Sequence, residues 1–132
     1  MSQENVDAVQ DFIDAYNRRD YDAAIESFDP EVDFVLPAQQ SADSGRGPDH
    51  VIRFFEGLDE TFDDVQLRPQ EFVDGGDRVA TRLRHYAHGK GSGLVLDEEL
   101  YHQVTTFRGG RIVRIEYFAD WNAALEAAGL SE

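Results

Sequence analysis

Apolar residues recur every three or four positions in the first part of the chain, which is the spacing of helices with one buried face. The first stripe consists of Val6, Val9, Phe12, Ile13 and Tyr16. Asp20 suits the N-terminal cap of a second, short helix, and Pro30 suits its end. Gly47 and Pro48 predict the start of a third helix, because proline is favoured in the first helical turn. The third stripe consists of Val51, Phe54, Phe55, Leu58 and Phe62.

Extended segments are predicted where apolar and polar positions alternate. Residues 32–36 form one such segment, and residues 38–47, which are mostly small and polar, are expected to form a loop. Beyond Val65 the helical spacing disappears, and glycine turns separate four further segments. These predicted strands are 65–73, 78–88, 94–107 and 111–118. A last helix is predicted over residues 121–128, with Asp120 as its N-terminal cap.

Two glycine pairs predict tight turns between these strands. Gly75-Gly76 and Gly109-Gly110 suit hairpins, because glycine takes positive φ without steric cost. The later strands are therefore expected to form an antiparallel meander. The order of elements predicts one α+β domain over residues 1–132, with N-terminal helices packed on a curved, mostly antiparallel sheet.

Charge narrows the range of partners. The chain has 27 acidic and 12 basic residues and a net charge of −15, and Lys90 is its only lysine. Such a balance repels phosphate backbones and anionic headgroups, so we expect neither nucleic acid nor a membrane as partner. Acidic, lysine-poor surfaces are also typical of proteins from salt-loving organisms, where salt screens the self-repulsion. A halophilic origin is predicted, and an acidic protein of an ordinary organism is the alternative.

Composition also excludes several chemistries. The chain has no cysteine, which removes disulfides, thiolate nucleophiles and thiolate metal sites. Its four histidines do not follow the spacing of a metal site, and we expect no metal or other cofactor. No apolar run approaches the length of a membrane span and the N-terminus has no leader pattern, so a cytoplasmic protein is expected.

Four stretches of the sequence resemble, in order and spacing, the SnoaL-like branch of the nuclear transport factor 2-like superfamily, which is related to the ketosteroid isomerases. FIDAYNRRDYDAAIESFDPEVDF resembles its first two helices and first strand, and GRGPDHVIRFFEGL resembles its third helix. EFVDGGDRV resembles the middle hairpin, and TFRGGRIVRIEYFADWNAALEAAGL resembles the closing hairpin and last helix. The resemblance implies a cone-shaped fold with a pocket between the first helices and the concave face of the sheet.

Two reactions of this superfamily lack their residues here. The isomerase mechanism, as the resemblance implies it, requires a phenol and two carboxyl groups where this chain has Phe12, Leu36 and Gln103. The epoxide hydrolase mechanism requires an arginine–aspartate pair, and the corresponding strand offers Arg82 or Arg84 without the aspartate. Neither reaction is expected.

A cyclase-type acid is the third option that the resemblance implies. Polyketide cyclases use an acid on the last strand to protonate a substrate carbonyl. Glu116 takes that position if a bulge shifts the strand by one residue, and without the bulge Tyr117 faces the pocket. An ion pair of Glu116 with Arg114 or Arg82 is the structural alternative. Glu116 and Tyr117 are therefore the catalytic candidates, and whether the protein is an enzyme stays open.

The strand alternation and the resemblance together predict the walls of a ligand pocket. The predicted lining is Tyr16, Phe34, Phe54, Leu58, Arg84, Tyr101, Gln103 and Tyr117. Buried phenols need hydrogen-bond partners and can hold a polar ligand atom. Arg84 is expected either to anchor a carboxylate or to be an exposed strand residue. A core filled by these side chains, without a pocket, is the alternative.

The predicted function is binding of a small, largely apolar or amphipathic molecule, with an isomerase- or cyclase-type lyase reaction on an unknown substrate left open. The alternative is a non-enzymatic binding or structural module of a halophile. A homodimer formed through the outer face of the sheet is expected, and it is compatible with both functions.

Overall fold

Residues 2–130 are described by the computed structural model, apart from the side chains of residues 2 and 38–40. The helices in this range are α1 (Ser2–Asn17), α2 (Tyr21–Ala24), α3 (Pro48–Thr61) and α4 (Trp121–Ala127), and a short 3₁₀ helix covers Ala38–Asp43. The strands are β1 (Phe28–Val35), β2 (Gly45–Arg46), β3 (Phe62–Asp74), β4 (Arg78–Gly89), β5 (Val95–Glu98), β6 (His102–Arg108) and β7 (Arg111–Phe118).

Polar residues start the helices where the sequence predicts. The Asp20 carboxylate accepts a hydrogen bond from the backbone N–H of Ala23 at 3.2 Å, and the Asp120 carboxylate accepts one from Ala123 at the same distance. Each bond satisfies a backbone donor that the first helical turn leaves without a partner. Pro48 occupies the first turn of α3, so the predicted starts of α2, α3 and α4 are confirmed.

The strands form one sheet in the order β2-β1-β7-β6-β4-β3. The short strand β5 lies off this path and pairs with residues 85–88 of β4. All pairs are antiparallel except β1 with β7, which is parallel. Gly109 and Gly110 both have positive φ, of 58° and 79°, as the tight β6–β7 turn requires. The α+β prediction, with N-terminal helices on a mostly antiparallel sheet, is confirmed.

The two faces of the sheet are covered differently. The face that packs on α1 and α3, called the inner face below, carries the main core with the buried residues Val9, Ile13, Val32, Phe34, Leu83, Ile112 and Ile115. On the other, outer face, Ala80 and Val104 pack against Ala124 and Ala128 of the α4 region. The inner face is therefore the one beneath the N-terminal helices.

Several element boundaries differ from the sequence prediction. Phe62 begins β3 instead of ending the third helix, and the predicted loop 38–47 contains a 3₁₀ helix and β2. β1 begins at Phe28, which the apolar spacing placed in the second helix, and Pro30 lies inside β1 where the pairing with β7 is irregular. A strand tolerates proline at such a position because no ladder hydrogen bond is required there.

The predicted strand 94–107 is divided into β5 and β6. β4 pairs with β6 as far as Thr81 and with β5 from His85 onward. Between these regions the backbone N–H of Leu83 donates to Nδ1 of the buried His102 at 3.2 Å. The His102 ring thus accepts the hydrogen bond that a strand carbonyl would otherwise accept. No glycine or proline in the sequence marks this interruption of the strand pairing.

No helix within residues 2–130 is long and apolar enough to cross a membrane.

Candidate functional site

A cavity of about 300 Å³ lies between α3 and the β3, β4 and β5 region of the sheet. Aromatic and aliphatic side chains supply most of its walls. Its lining residues are Leu36, Phe54, Phe55, Leu58, Phe62, Val65, Leu67, His85, Tyr86, Ala87, Leu96, Leu100, Tyr101 and Tyr117. The volume is at the lower end of the range of about 300–1,000 Å³ that is typical of small-molecule sites.

Tyr117 contributes a phenol that is already engaged with the protein. Its hydroxyl donates to Oε1 of Gln103 at 2.9 Å, and Nε2 of Gln103 donates to Oγ1 of Thr105 at 3.2 Å. All three side chains are buried on the inner face. Burial raises the pKa of Tyr117 far above its ordinary value, so this phenol stays protonated.

His85 is a second titratable group of the cavity wall with a strongly shifted pKa. Burial, and to a smaller extent nearby His102, lower the pKa of this imidazole from its ordinary value of 6.5 to about 4, against a smaller opposing effect of a hydrogen bond with the Glu98 backbone. The ring meets that of Tyr101 edge-on, with 6.1 Å between centroids. Its Nδ1 is buried without a hydrogen-bond partner among the described residues.

Tyr16 lies in the core behind the cavity. Its ring packs on Phe55 with centroids 4.4 Å apart, and the Arg19 guanidinium lies over it at 4.4 Å. Arg19 makes two hydrogen bonds of 2.9 Å to the Asp59 carboxylate and one of 2.8 Å to the carbonyl of Val65. This cluster ties α1 to α3 and β3, and burial raises the pKa of Tyr16.

Arg84 lies on the outer face rather than in the cavity. Its Nε is 2.6 Å from Oδ1 of Asp97, and the neighbouring Arg82 holds Glu99 at 2.8 Å in the same way. These two ion pairs attach the segment 97–99 to β4. The position of Arg84 is therefore the one that the exposed-strand alternative describes.

Glu116 also lies on the outer face. Its cross-strand neighbour is Val104, which packs against α4, and its carboxylate is 3.3 Å from Nε of Arg114. Tyr117, one residue further, faces inward. The irregularity in the β6–β7 pairing falls between Thr106 and Phe107, too far along the hairpin to bring Glu116 inside.

The predicted lining residues thus lie in three places: Arg84 on the outer face, one group in the cavity wall, and one group buried behind that wall. Phe54, Leu58, Tyr101 and Tyr117 line the cavity. Tyr16, Phe34 and Gln103 are fully buried behind its wall. Phe34 supports that wall through ring contacts with Phe54 at 5.1 Å and Tyr117 at 5.6 Å.

His85 is a polar lining residue that the sequence interpretation missed, as is Tyr86. A signal was available, because His85 alternates with Leu83 and Ala87, which are both buried on the inner face. Leu96 and Leu100 were missed for another reason. They reach the cavity because β5 leaves the path of β6, which the sequence pattern did not indicate.

No cluster of three or more metal-ligating side chains occurs among the residues that the structure describes. The cavity walls present mainly apolar and aromatic surface, together with the imidazole of His85 and several phenol groups.

Comparison with known proteins identifies the family. The model of the SnoaL-like domain matches residues 9–115, and the chain therefore belongs to the SnoaL-like family. Comparison with functionally curated proteins gives no significant match.

Solved structures of the same fold are similar over almost the whole chain. A nuclear transport factor 2-like protein of unknown function from Burkholderia pseudomallei has a TM-score of 0.77 and 23% identity, covering 93% of this chain and 95% of its own. TerC, co-crystallised with polyporic acid, has a TM-score of 0.75 and 22% identity, covering 96% and 98%. A candidate SnoaL-like polyketide cyclase from Jannaschia sp. CCS1 has a TM-score of 0.75 and 21% identity, covering 99% and 95%.

Proposed function

We propose that this protein binds a small, mainly apolar molecule in the cavity between α3 and the inner face of the sheet. The observation that carries the proposal is the cavity of about 300 Å³ with almost entirely apolar and aromatic walls. Transfer of apolar ligand surface from water to such walls is favourable. An isomerase- or cyclase-type reaction is the activity to assay at this site.

Two relatives support a ligand-binding role. TerC was crystallised with polyporic acid, and the Jannaschia protein is a candidate polyketide cyclase. Both share the fold of this chain at close to one fifth sequence identity, so their ligands inform the type of molecule to test. The residues of the cavity wall, rather than the fold, decide which molecule is bound.

Filling the cavity tests the proposal. Leu58 lines the cavity and is half-buried, so the larger indole of Leu58→Trp is expected to occupy ligand space. Leu125 is half-buried in the outer-face cluster, which makes Leu125→Trp the matched control. The probe is N-phenyl-1-naphthylamine, a neutral dye whose fluorescence rises in apolar surroundings, titrated into each protein.

We expect saturable binding to the wild-type protein and to Leu125→Trp, and at least about tenfold weaker binding to Leu58→Trp. Circular dichroism verifies that both variants are folded. Equal affinity for all three proteins would place the dye elsewhere and contradict the proposal.

A further inference from the structure

The strand pairing of β4 has a gap on the side where β5 and β6 lie. β4 pairs with β6 as far as Thr81 and with β5 from His85 onward, so within the described chain residues 82–84 have no strand partner on that side. The segment 99–101 joins β5 to β6 beside this gap, and its last two residues line the cavity. An interaction that closes the gap therefore also holds part of the cavity wall.

The ring of His102 closes the gap with a hydrogen bond. Its Nδ1 accepts from the backbone N–H of Leu83 at 3.2 Å, and its side chain is 4% exposed. Nδ1 accepts only when it carries no hydrogen, so the hydrogen of the neutral ring is on Nε2. Nε2 lies 3.9 Å from Oε1 of Glu99. The geometry thus requires a neutral ring in one particular tautomer.

Charged and titratable groups act on His102 from each neighbouring element. Glu99 belongs to the segment before β6, Arg82 to β4, and Asp120 to the cap of α4. Burial lowers the pKa of His102 most, Glu99 and Asp120 oppose this effect, and Arg82 reinforces it. His85 on β4 also interacts with the ring electrostatically. The net effect keeps the pKa of the buried ring below its ordinary value, which favours the neutral form.

A proton on Nδ1 would be incompatible with this hydrogen bond. The imidazolium has two N–H donors and no acceptor, so its Nδ1–H would face the N–H of Leu83. The Glu99 carboxylate offers the imidazolium another partner, since its hydrogen bond with Arg82 lowers the pKa of Glu99 and keeps it ionised in mild acid. An open gap with a hydrated ring removes the conflict between the two donors and accepts the proton.

We propose that His102 is a positioning residue that keeps one side of the cavity closed while its ring is neutral, and that protonation of the ring opens the segment 99–101. Opening withdraws Leu100 and Tyr101 from the cavity wall and admits solvent or a ligand. The proposal concerns access to the cavity, and it stands whether or not the proposed type of ligand binds there.

Linkage gives the direction and the size of the effect. A hydrated histidine has a pKa of about 6.5, whereas burial keeps the pKa of His102 in the closed form lower. Below about pH 6.5 the open form therefore binds more protons than the closed form, and the opening equilibrium rises by at most about tenfold per pH unit. Well above this pH neither form binds the proton, and the opening equilibrium does not depend on it.

Amide exchange at Leu83, followed by NMR, measures the opening, because this N–H exchanges only when its bond to His102 is broken. After correction for intrinsic exchange rates, we expect the opening equilibrium of the wild-type protein to rise about 3- to 10-fold from pH 7.5 to pH 5.5. His102→Asn offers an amide oxygen in place of Nδ1 and does not titrate, so it should lose this rise. His102→Phe, which has no acceptor, should open more often at both pH values.

His88→Asn is the matched control. His88 lies on the same strand as Leu83, its side chain is 39% exposed and its ring contacts the Tyr86 hydroxyl at 2.7 Å, so the variant should keep the wild-type response to pH. An equal rise in His102→Asn would assign the response to another group, such as His85, and overturn the proposal. A wild-type opening equilibrium independent of pH would overturn it as well. So would exchange of Leu83 only together with the amides of β7, because the opening would then be global.

If His102→Asn does not fold, nitrogen-15 NMR of the wild-type histidines tests the same requirement. At pH 7.5 Nδ1 of His102 should have the chemical shift of a nitrogen without hydrogen, and Nε2 that of a nitrogen with one. The opposite tautomer, or an imidazolium at this pH, would contradict the proposal.

Discussion

Burial lowers the pKa of His85 in the folded protein, so this histidine has different pKa values in the folded and unfolded chains. The pKa is about 4 in the fold and 6.5 for an ordinary histidine. As the pH falls from about 6.5 to about 4, the unfolded chain binds a proton that the folded protein does not bind. Because this favours the unfolded state, the residue lowers the stability across that window by at most about 3 kcal/mol.

This difference predicts how the variant His85→Phe responds to pH. Relative to that of the wild type, its free energy of unfolding should increase as the pH falls from 7 to 4, since the phenyl ring does not titrate and only the wild type loses the His85 contribution. Urea unfolding at a series of pH values measures the change. His102 is retained in both proteins, so its lowered pKa cancels in the comparison. A pH-independent difference between the two proteins would show that His85 titrates alike in both states.

At the scale of elements, the short strand β5 forms one side of the cavity and pairs along one edge with β4. Leu96 and Leu100 supply cavity wall, whereas Leu94 and Val95 are 72% and 60% exposed. The contacts of Asp97 with Arg84 and of Glu99 with Arg82 attach this segment to β4. Its described strand pairing is with β4 alone, so local opening of β5 should require less free energy than global unfolding.

Removing both carboxylates, in Asp97→Asn with Glu99→Gln, is expected to speed amide hydrogen exchange in residues 95–101. The urea midpoint of global unfolding should change little, because partly exposed ion pairs contribute little to stability. Hydrogen-exchange mass spectrometry measures the local effect. Asp33→Asn, which removes an exposed partner of Arg46, is the control and should leave β5 unchanged. Unaltered exchange in the double variant would show that backbone pairing alone holds the segment.

At the scale of the whole molecule, the net charge of −15 opposes compaction. Salt shortens the screening length from about 10 Å at 0.1 M to about 3 Å at 1 M. We therefore predict that the thermal midpoint rises with potassium chloride over this range. The variant Asp11→Asn/Asp14→Asn, at two exposed positions of α1, should show a smaller rise. A midpoint independent of salt would argue against the halophilic origin, which stays a prediction, as does the homodimer.

Much of the fold could be predicted because its signals are local. The stripe on α1, the caps Asp20 and Asp120, and the pair Gly109-Gly110 each depend on residues close together in the chain. The site could be predicted only in part. Phe54 and Leu58 follow from the helical period, but the strand alternation was not extended to His85, and Arg84 is turned to the outer face.

The sequence by itself determined the family, the helices and most of the strands, because apolar spacing and strand alternation are local properties of the chain. It left Glu116 and Tyr117 as alternatives for the residue that faces inward on the last strand. Only the tertiary structure decided that β1 pairs with β7 in parallel, that the His102 ring accepts the hydrogen bond of the Leu83 N–H, and that His85 is part of a cavity wall. These features depend on contacts between residues distant in the chain, and the burial that sets the protonation of His85 exists only once those contacts have formed.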